Sequence, residues 1–192
     1  MDQNDDNSSY TMADAVFTAC FLNMCNRNCN VVGMAAFAPI VNTRGCIFTY
    51  NEGIVLRSTY HVFDLYVNYL GDVVLDSWTE DSPVKSLESV SKQKTQVELL
   101  DVTATAFSNK KGMAIAAVNK DGSEERSFRL DFEASGPVTI HYISGDTTEA
   151  YNDIGHDAVQ IEKKSLGMFQ PGMEVSLCPH SVNIIWIGVE EA

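Results

Sequence analysis

The apolar positions along this chain change period twice. From Met12 to about Arg27, apolar residues fall on nearly every helical face: Ala15, Val16, Phe17, Ala19, Cys20, Phe21, Leu22 and Met24. That pattern predicts a helix packed on more than one side. Thr11, followed three residues later by Asp14, reads as a capping box at its start. Asn26, Asn28 and Asn30 mark a turn, and the run Val31 to Val41 is then almost free of polar residues and rich in small ones. An unbroken apolar run of this kind predicts a strand buried on both faces, as in a parallel sheet. Pro39 should end its pairing, because proline cannot donate to a ladder. Asn42 to Gly53 is expected as the loop after that strand. Ser58 is a good N-cap, Tyr60, Phe63, Tyr66, Val67 and Leu70 repeat with helical spacing, and Gly71 stops the helix. Asp72 to Thr79 reads as extended.

A polar stretch from Glu80 to about Gln96, with Pro83 and several serines and lysines, reads as a linker. Beyond it the period shortens to two. Val97–Phe107, Met113–Asn119, Ser127–Glu133, Val138–Ile143, Ala158–Ile161, Met173–Leu177 and Val182–Gly188 are predicted strands. Turn residues separate them, at Asn109-Lys110-Lys111-Gly112, Asp121-Gly122, Ser135-Gly136-Pro137, Ser144-Gly145-Asp146 and Gln170-Pro171-Gly172. Met113, Ile115 and Ala117 should share one face of their strand, as should Phe128, Leu130 and Phe132. Several short strands with no helix between them imply a β-sandwich. The expected fold is therefore mixed. An antiparallel, jelly-roll-like C-terminal β-sandwich follows a helix–strand–helix piece that looks like the end of a (β/α)8 barrel. The division expected is residues 1–80 and 81–192. Residues 1–10 are polar and read as a mobile tail.

Charge narrows the partners. Twenty-six acidic residues against 13 basic give a net charge of −13 across 192 residues. That disfavours nucleic acid and anionic membranes, which are bound through clustered Lys and Arg, and suits a neutral partner such as a sugar. No stretch is long and apolar enough to span a bilayer. The segment MDQNDDNSSY lacks the basic and apolar regions of a signal peptide, so the expected compartment is the cytoplasm. The five cysteines, Cys20, Cys25, Cys29, Cys46 and Cys178, read as reduced thiols. Cys25 and Cys29 are four apart, but no second pair or histidine completes a zinc set. No metal or cofactor is expected.

Four segments together carry a resemblance: MADAVFTACFLNMC, MAAFAPIVNTRG, STYHVFDLYVNYLGDVVLDS and LCPHSVNIIWI. In this order they resemble the C-terminal region of the α-L-arabinofuranosidases of glycoside hydrolase family 51. Ser144-Gly145-Asp146 and Ala150-Tyr151-Asn152-Asp153 are similar to that family's sandwich. The resemblance implies a retaining, exo-acting hydrolase that releases arabinofuranose from arabinan, arabinoxylan or oligosaccharides. Such chemistry needs two carboxyl groups about 5 Å apart, a nucleophile and an acid/base. In the family these are glutamates on barrel strands 4 and 7, and the matched region begins after strand 7. No catalytic residue is carried over, and the chain alone is expected to be inactive. Where the family has a glutamine before the V-N of strand 8, this chain has Pro39.

The remaining candidates are weaker. Asn42, Thr43 and Arg44 follow the apolar run and could touch sugar at the rim, and Glu52 is the least implausible acid in the same loop. His61, His141, His156 and His180 are scattered and read as packing or turn residues. Trp78, Trp186, Tyr142 and Tyr151 could form a sugar-stacking platform, although such residues more often lie in a core. The alternative reading is a non-catalytic carbohydrate-binding or assembly module. A strand at Val31–Val41 without neighbours would leave two edges unpaired, so self-association into a homo-oligomer is expected.

Overall fold

The computed structural model describes residues 6–88, 91–108 and 112–188. Its centre is a six-stranded antiparallel sheet in the order β12-β9-β14-β7-β6-β3. The strands are β3 (Val73–Leu75), β6 (Leu100–Ala106), β7 (Gly112–Asn119), β9 (Pro137–Ile143), β12 (Glu162–Met168) and β14 (Ser181–Gly188). One face is covered by the helices α1 (Met12–Arg27) and α2 (Ser58–Tyr69). The other is covered by a ribbon of β8 (Arg126–Leu130) and β13 (Met173–Leu177).

The alternation of side chains explains the two cores. Ala114, Ala116 and Val118 of β7, with Val182 and Ile184 of β14, meet Met12, Ala15, Ala19, Val62 and Leu65 of the helices. Ile115 and Ala117, with Ile185 and Ile187, meet Leu130, Val175 and Leu177 of the ribbon. Phe128 and Phe132 pack on that same side, as does Met113. Alanines on the sheet face let the helices sit close to it. The expected division after residue 80 falls between β3 and β4 (Val84–Glu88); helices from before it and strands from after it contribute to one core.

The structure departs from the sequence pattern in several places. Val31–Val41 is not a strand: apart from one parallel bridge from Val41 to Ile47, it forms no regular pairing, and most of it is exposed. A strand is defined by its neighbours, and no described element lies alongside this run to pair with it. Helix α1 buries Met12, Ala15, Ala19 and Asn23 on the sheet, while Phe17 and Phe21 face outward. It packs on the sheet and, along a second side, on α2, as expected, but not all round. Ser58 is the first helical residue and Arg57 the N-cap, whereas the capping box of Thr11 and Asp14 forms as expected.

The expected loop 42–53 contains a hairpin, β1 (Ile47–Tyr50) with β2 (Gly53–Leu56). The expected linker contains another, β4 with β5 (Lys94–Glu98). Nearly every residue of β4 and β5 is exposed, so no buried face marks the sequence. The predicted strand Val97–Phe107 is divided at Leu99 between β5 and β6. Ala158–Ile161 is irregular, and the strand lies just beyond it at β12, whose Glu162, Lys163 and Lys164 are exposed on the sheet edge. Polar edge strands resist further pairing but hide the period-two signal. A short hairpin of β10 (Asn152–Asp153) and β11 (His156–Asp157) completes the elements. The expected turn at 109–111 lies outside the described residues.

One corner makes a pH prediction. The buried Asp121 accepts from the amides of Ser123 and Glu124 at 3.1 and 3.3 Å and is paired with Arg126. The Arg126 hydrogen bond, with help from those amides, holds its carboxyl down at about 2. An unfolded aspartate titrates near ~3.9. The folded value is the lower, so this stabilisation is present above about pH 4 and is lost as pH falls toward 2. Asp121→Asn should therefore flatten the fall of Tm over that window, measured by circular dichroism. An unchanged slope would show that Asp121 does not contribute to acid sensitivity.

Candidate functional site

The candidate rim residues sit around a buried cation. The Arg57 side chain is fully buried between β2 and α2. Its Nε donates to Asn7 Oδ1 at 2.8 Å, and its Nη1 donates to the carbonyls of Thr43 and Gly45 at 3.0 and 2.7 Å. The guanidinium lies over the Tyr10 ring, 3.8 Å from its centroid. Tyr10 donates its hydroxyl to the Thr43 carbonyl at 2.6 Å, and Asn7 donates to Asp153 at 2.9 Å. The N-terminal residues expected as a mobile tail thus include a buried Asn7, in a single 3-10 turn Asn7–Ser9.

That network shapes the turn carrying the candidates. Asn42 and Thr43 both have left-handed backbone conformation, with φ of 54° and 46°. Asn42 accepts from the Thr49 amide at 2.7 Å and donates to its hydroxyl at 2.9 Å, so its side chain locks the turn to β1. Gly45 is tightly enclosed, since a Cβ there would lie 2.3 Å from the Ile40 carbonyl oxygen. Arg44 is exposed on the same turn, and Glu52 is exposed at the tip of the β1–β2 hairpin. Among the described residues neither Arg44 nor Glu52 has a hydrogen-bond or ion-pair partner. Asn42, Thr43 and Arg44 therefore share one turn, and Glu52 sits on a neighbouring one.

The other polar candidates are held in the fold. His61 is buried beside Asn152, and burial pushes its pKa down, against smaller opposing effects of Asp64 and Asp157. Asn152 donates to the Leu56 and Val159 carbonyls, both at 2.8 Å, and so joins the hairpin and α2 to the sandwich. His141 is buried and stacked on Tyr69 at 4.0 Å. His180 lies between the Gly122 and Gly145 carbonyls, at 3.1 and 2.8 Å, fixing the turn before β14. Trp186 is buried on Phe107 and Tyr142 donates to Glu162, whereas Trp78 is 75% exposed. They do not form one stacking platform.

Carboxyl groups show the same pattern. Asp6, Asp72 and Asp121 are all pulled down, by hydrogen bonds from Ser8, Ser108 and Arg126 respectively. A general acid needs the opposite displacement. An apolar groove of about 260 Å³ lies between α1, residues 35–37 and Phe63 of α2, and no carboxyl group lines it. Among the described residues no group of three or more His, Cys, Asp or Glu is placed to hold a metal, and no helix is long and apolar enough to cross a membrane.

The sequence reading missed Arg57, Asn7 and Asn152. A lone Arg between an apolar strand and a helix start was the only signal for the first. Asn152 stood in the segment Ala150–Asp153 that carries part of the resemblance, but nothing there pointed to its partners, and Asn7 carried no signal, because the partners of both are remote in sequence.

Two helices on one face of an antiparallel sheet, with a two-stranded ribbon on the other, define a helix-covered β-sandwich domain. The family described as the alpha-L-arabinofuranosidase C-terminal domain matches residues 2–181, and the chain belongs to it. Among curated relatives, a probable alpha-L-arabinofuranosidase C of Aspergillus fumigatus is 30% identical over 166 residues, covering 82% of this chain and 31% of its own length. Its counterpart in Aspergillus clavatus is 28% identical over 160 residues, with the same coverage of 82% and 31%. The chain thus spans under a third of these relatives' length. In fold it is similar to an alpha-L-arabinofuranosidase from Thermotoga maritima solved with arabinose, with a TM-score of 0.84 at 23% identity over 94% of this chain and 39% of that one. The family 51 enzyme of Thermotoga petrophila gives 0.84 at 24% identity, covering 95% and 39%.

Proposed function

We propose that this chain is the C-terminal part of an α-L-arabinofuranosidase-like retaining glycoside hydrolase acting on arabinose-containing hemicellulose, and that alone it does not hydrolyse glycosides. The observation that carries the second half is the state of its acids. Asp6, Asp72 and Asp121 are each held below the ordinary carboxylate range by hydrogen bonds, and Glu52 stands exposed with no partner among the described residues. A retaining mechanism needs one ionised and one protonated carboxyl about 5 Å apart. The role left to this part is support, with the Arg57-anchored turn at 42–45 presenting Thr43 and Arg44 at a sugar-facing rim. A non-catalytic assembly module is the second reading, favoured by the uncovered apolar face of α1.

The test is an assay of the purified chain on 4-nitrophenyl α-L-arabinofuranoside. No turnover above buffer is expected. Turnover that disappears in Glu52→Gln would overturn the proposal, because it would place a working acid in this chain.

A further inference from the structure

Every polar atom of the Asn152 side chain is engaged. Its Oδ1 accepts from the Val159 amide at 2.7 Å. Its Nδ2 donates to the carbonyls of Leu56 and Val159, both at 2.8 Å. Those three bonds fix which way the amide points: an N–H marks its oxygen, and two carbonyls mark its nitrogen. Leu56 ends the β1–β2 hairpin, so this one side chain clasps the hairpin to the sandwich. Asn152 is 1% exposed and Val159 is fully buried, so solvent does not replace a bond lost here.

His61 meets the clasp on its donor side. Its Nε2 lies 3.4 Å from Asn152 Nδ2. Both amide hydrogens already go to carbonyls, so the place suits a ring nitrogen that carries a lone pair. A neutral imidazole with its proton on Nδ1 supplies one. An imidazolium would set an N–H against an NH2 group, and two donors face to face cannot bond. Burial opposes the charge too and is the larger influence on His61, whereas Asp64 of α2 and Asp157 of β11 favour the proton more weakly. The other ionisable groups on the surrounding elements are turned to other partners. Asp14 of α1 accepts from Thr11, and Arg57 and Asp153 are bonded to Asn7. His141 of β9 stacks on Tyr69, and His156 stands edge-on to Tyr151. Tyr60 sets its ring edge-on to His61 itself, 5.7 Å away.

We propose that His61 and Asn152 form an acid-sensitive latch: protonation of His61 expels the Asn152 amide and releases the β1–β2 hairpin from the sandwich. The device regulates the seating of the candidate rim, and that use rests on the proposed function. Its sign follows from linkage. Once the latch opens, His61 is hydrated and titrates as an ordinary histidine, near ~6.5. The closed state takes the proton less readily, so opening binds a proton and grows as pH falls below about 6.5. Above that value the latch is shut. The Asp121 corner responds separately, at lower pH.

Amide exchange of the 192-residue chain, divided by the intrinsic rate at each pH, tests this. The Val159 amide is the direct reporter, because its proton is the one that Asn152 Oδ1 holds. Its opening should grow roughly tenfold per pH unit below about 6.5, with the hairpin amides following. His61→Phe keeps a ring in place and cannot take the proton, so its Val159 opening should be flat over the same window. His156→Gln, at an exposed histidine of the β10–β11 hairpin, should leave the response intact. As a readout independent of any variant, the His61 ring protons should titrate by NMR in step with the Val159 response. A Val159 amide indifferent to pH, a response that survives His61→Phe or vanishes in His156→Gln, or ring protons that titrate out of step would each overturn the proposal. Glycoside turnover would overturn the proposed function instead and leave this latch standing.

Discussion

Replacing Arg57 with methionine should lower the unfolding free energy by about 3–5 kcal/mol, read from urea denaturation. Methionine keeps much of the apolar stem. It removes the guanidinium that donates to Asn7 Oδ1, the Thr43 carbonyl and the Gly45 carbonyl at 2.8, 3.0 and 2.7 Å. Each buried acceptor left unpaired costs about 1–3 kcal/mol. The Thr43 carbonyl keeps its bond from Tyr10 at 2.6 Å, which holds the total toward the middle of the sum. Arg57→Lys should recover only part of the loss, because one ammonium cannot reproduce the planar fork that reaches three acceptors. Amide exchange should accelerate first around residues 42–47, where Asn42 and Ile47 close the turn. A loss below about 1 kcal/mol would show that the N-terminal turn and the hairpin hold without the cation.

Ile184→Ala should cost about 3–4 kcal/mol by the same measurement. Strand β14 pairs with β7 on one side and β9 on the other, and Ile184 is fully buried in the layer shared with the helices. Its surroundings include Ala15, Ala19, Ala114 and Ala116, short side chains that cannot move into the vacated space. The cavity therefore stays, and the cavity contribution adds to the lost transfer energy. Val73→Ala on the edge strand β3 is the contrast: Val73 is 45% exposed, and its loss should be under about 1 kcal/mol. Equal losses at the two positions would contradict the layer assignment.

Much of the architecture was legible because burial has a period. The strands β7, β9 and β14 lie between two covered faces, and β13 alternates buried with exposed positions, so their places follow from their residues. Both helices were legible from spacing, and α1 from its capping box as well. The misreadings share one cause. Strands β4, β5 and β12 are mostly exposed and carry no apolar period, so they read as linker or were missed. Val31–Val41 carries the composition of a doubly buried strand, yet composition does not supply the neighbours that make a strand.

The candidate site was less legible. Asn42, Thr43 and Arg44 share a turn because they are neighbours in sequence, although the strand expected before them does not form. What organises them is not local: Arg57 reaches Asn7 across 50 positions and Asn152 reaches Leu56 across 96.

By itself the sequence determined the family, the two helices, the apolar strands of the sandwich and the two faces on which their apolar residues lie. These depend on local propensity and on a periodicity that each segment carries within itself. Only the tertiary structure decided that α1 turns its aromatic residues outward, that the apolar run 31–41 stays unpaired, and that a buried arginine ties the N-terminal turn to the candidate rim. Each of these is settled by which remote groups meet, and hydrogen bonding and burial between such groups leave no mark in the local pattern.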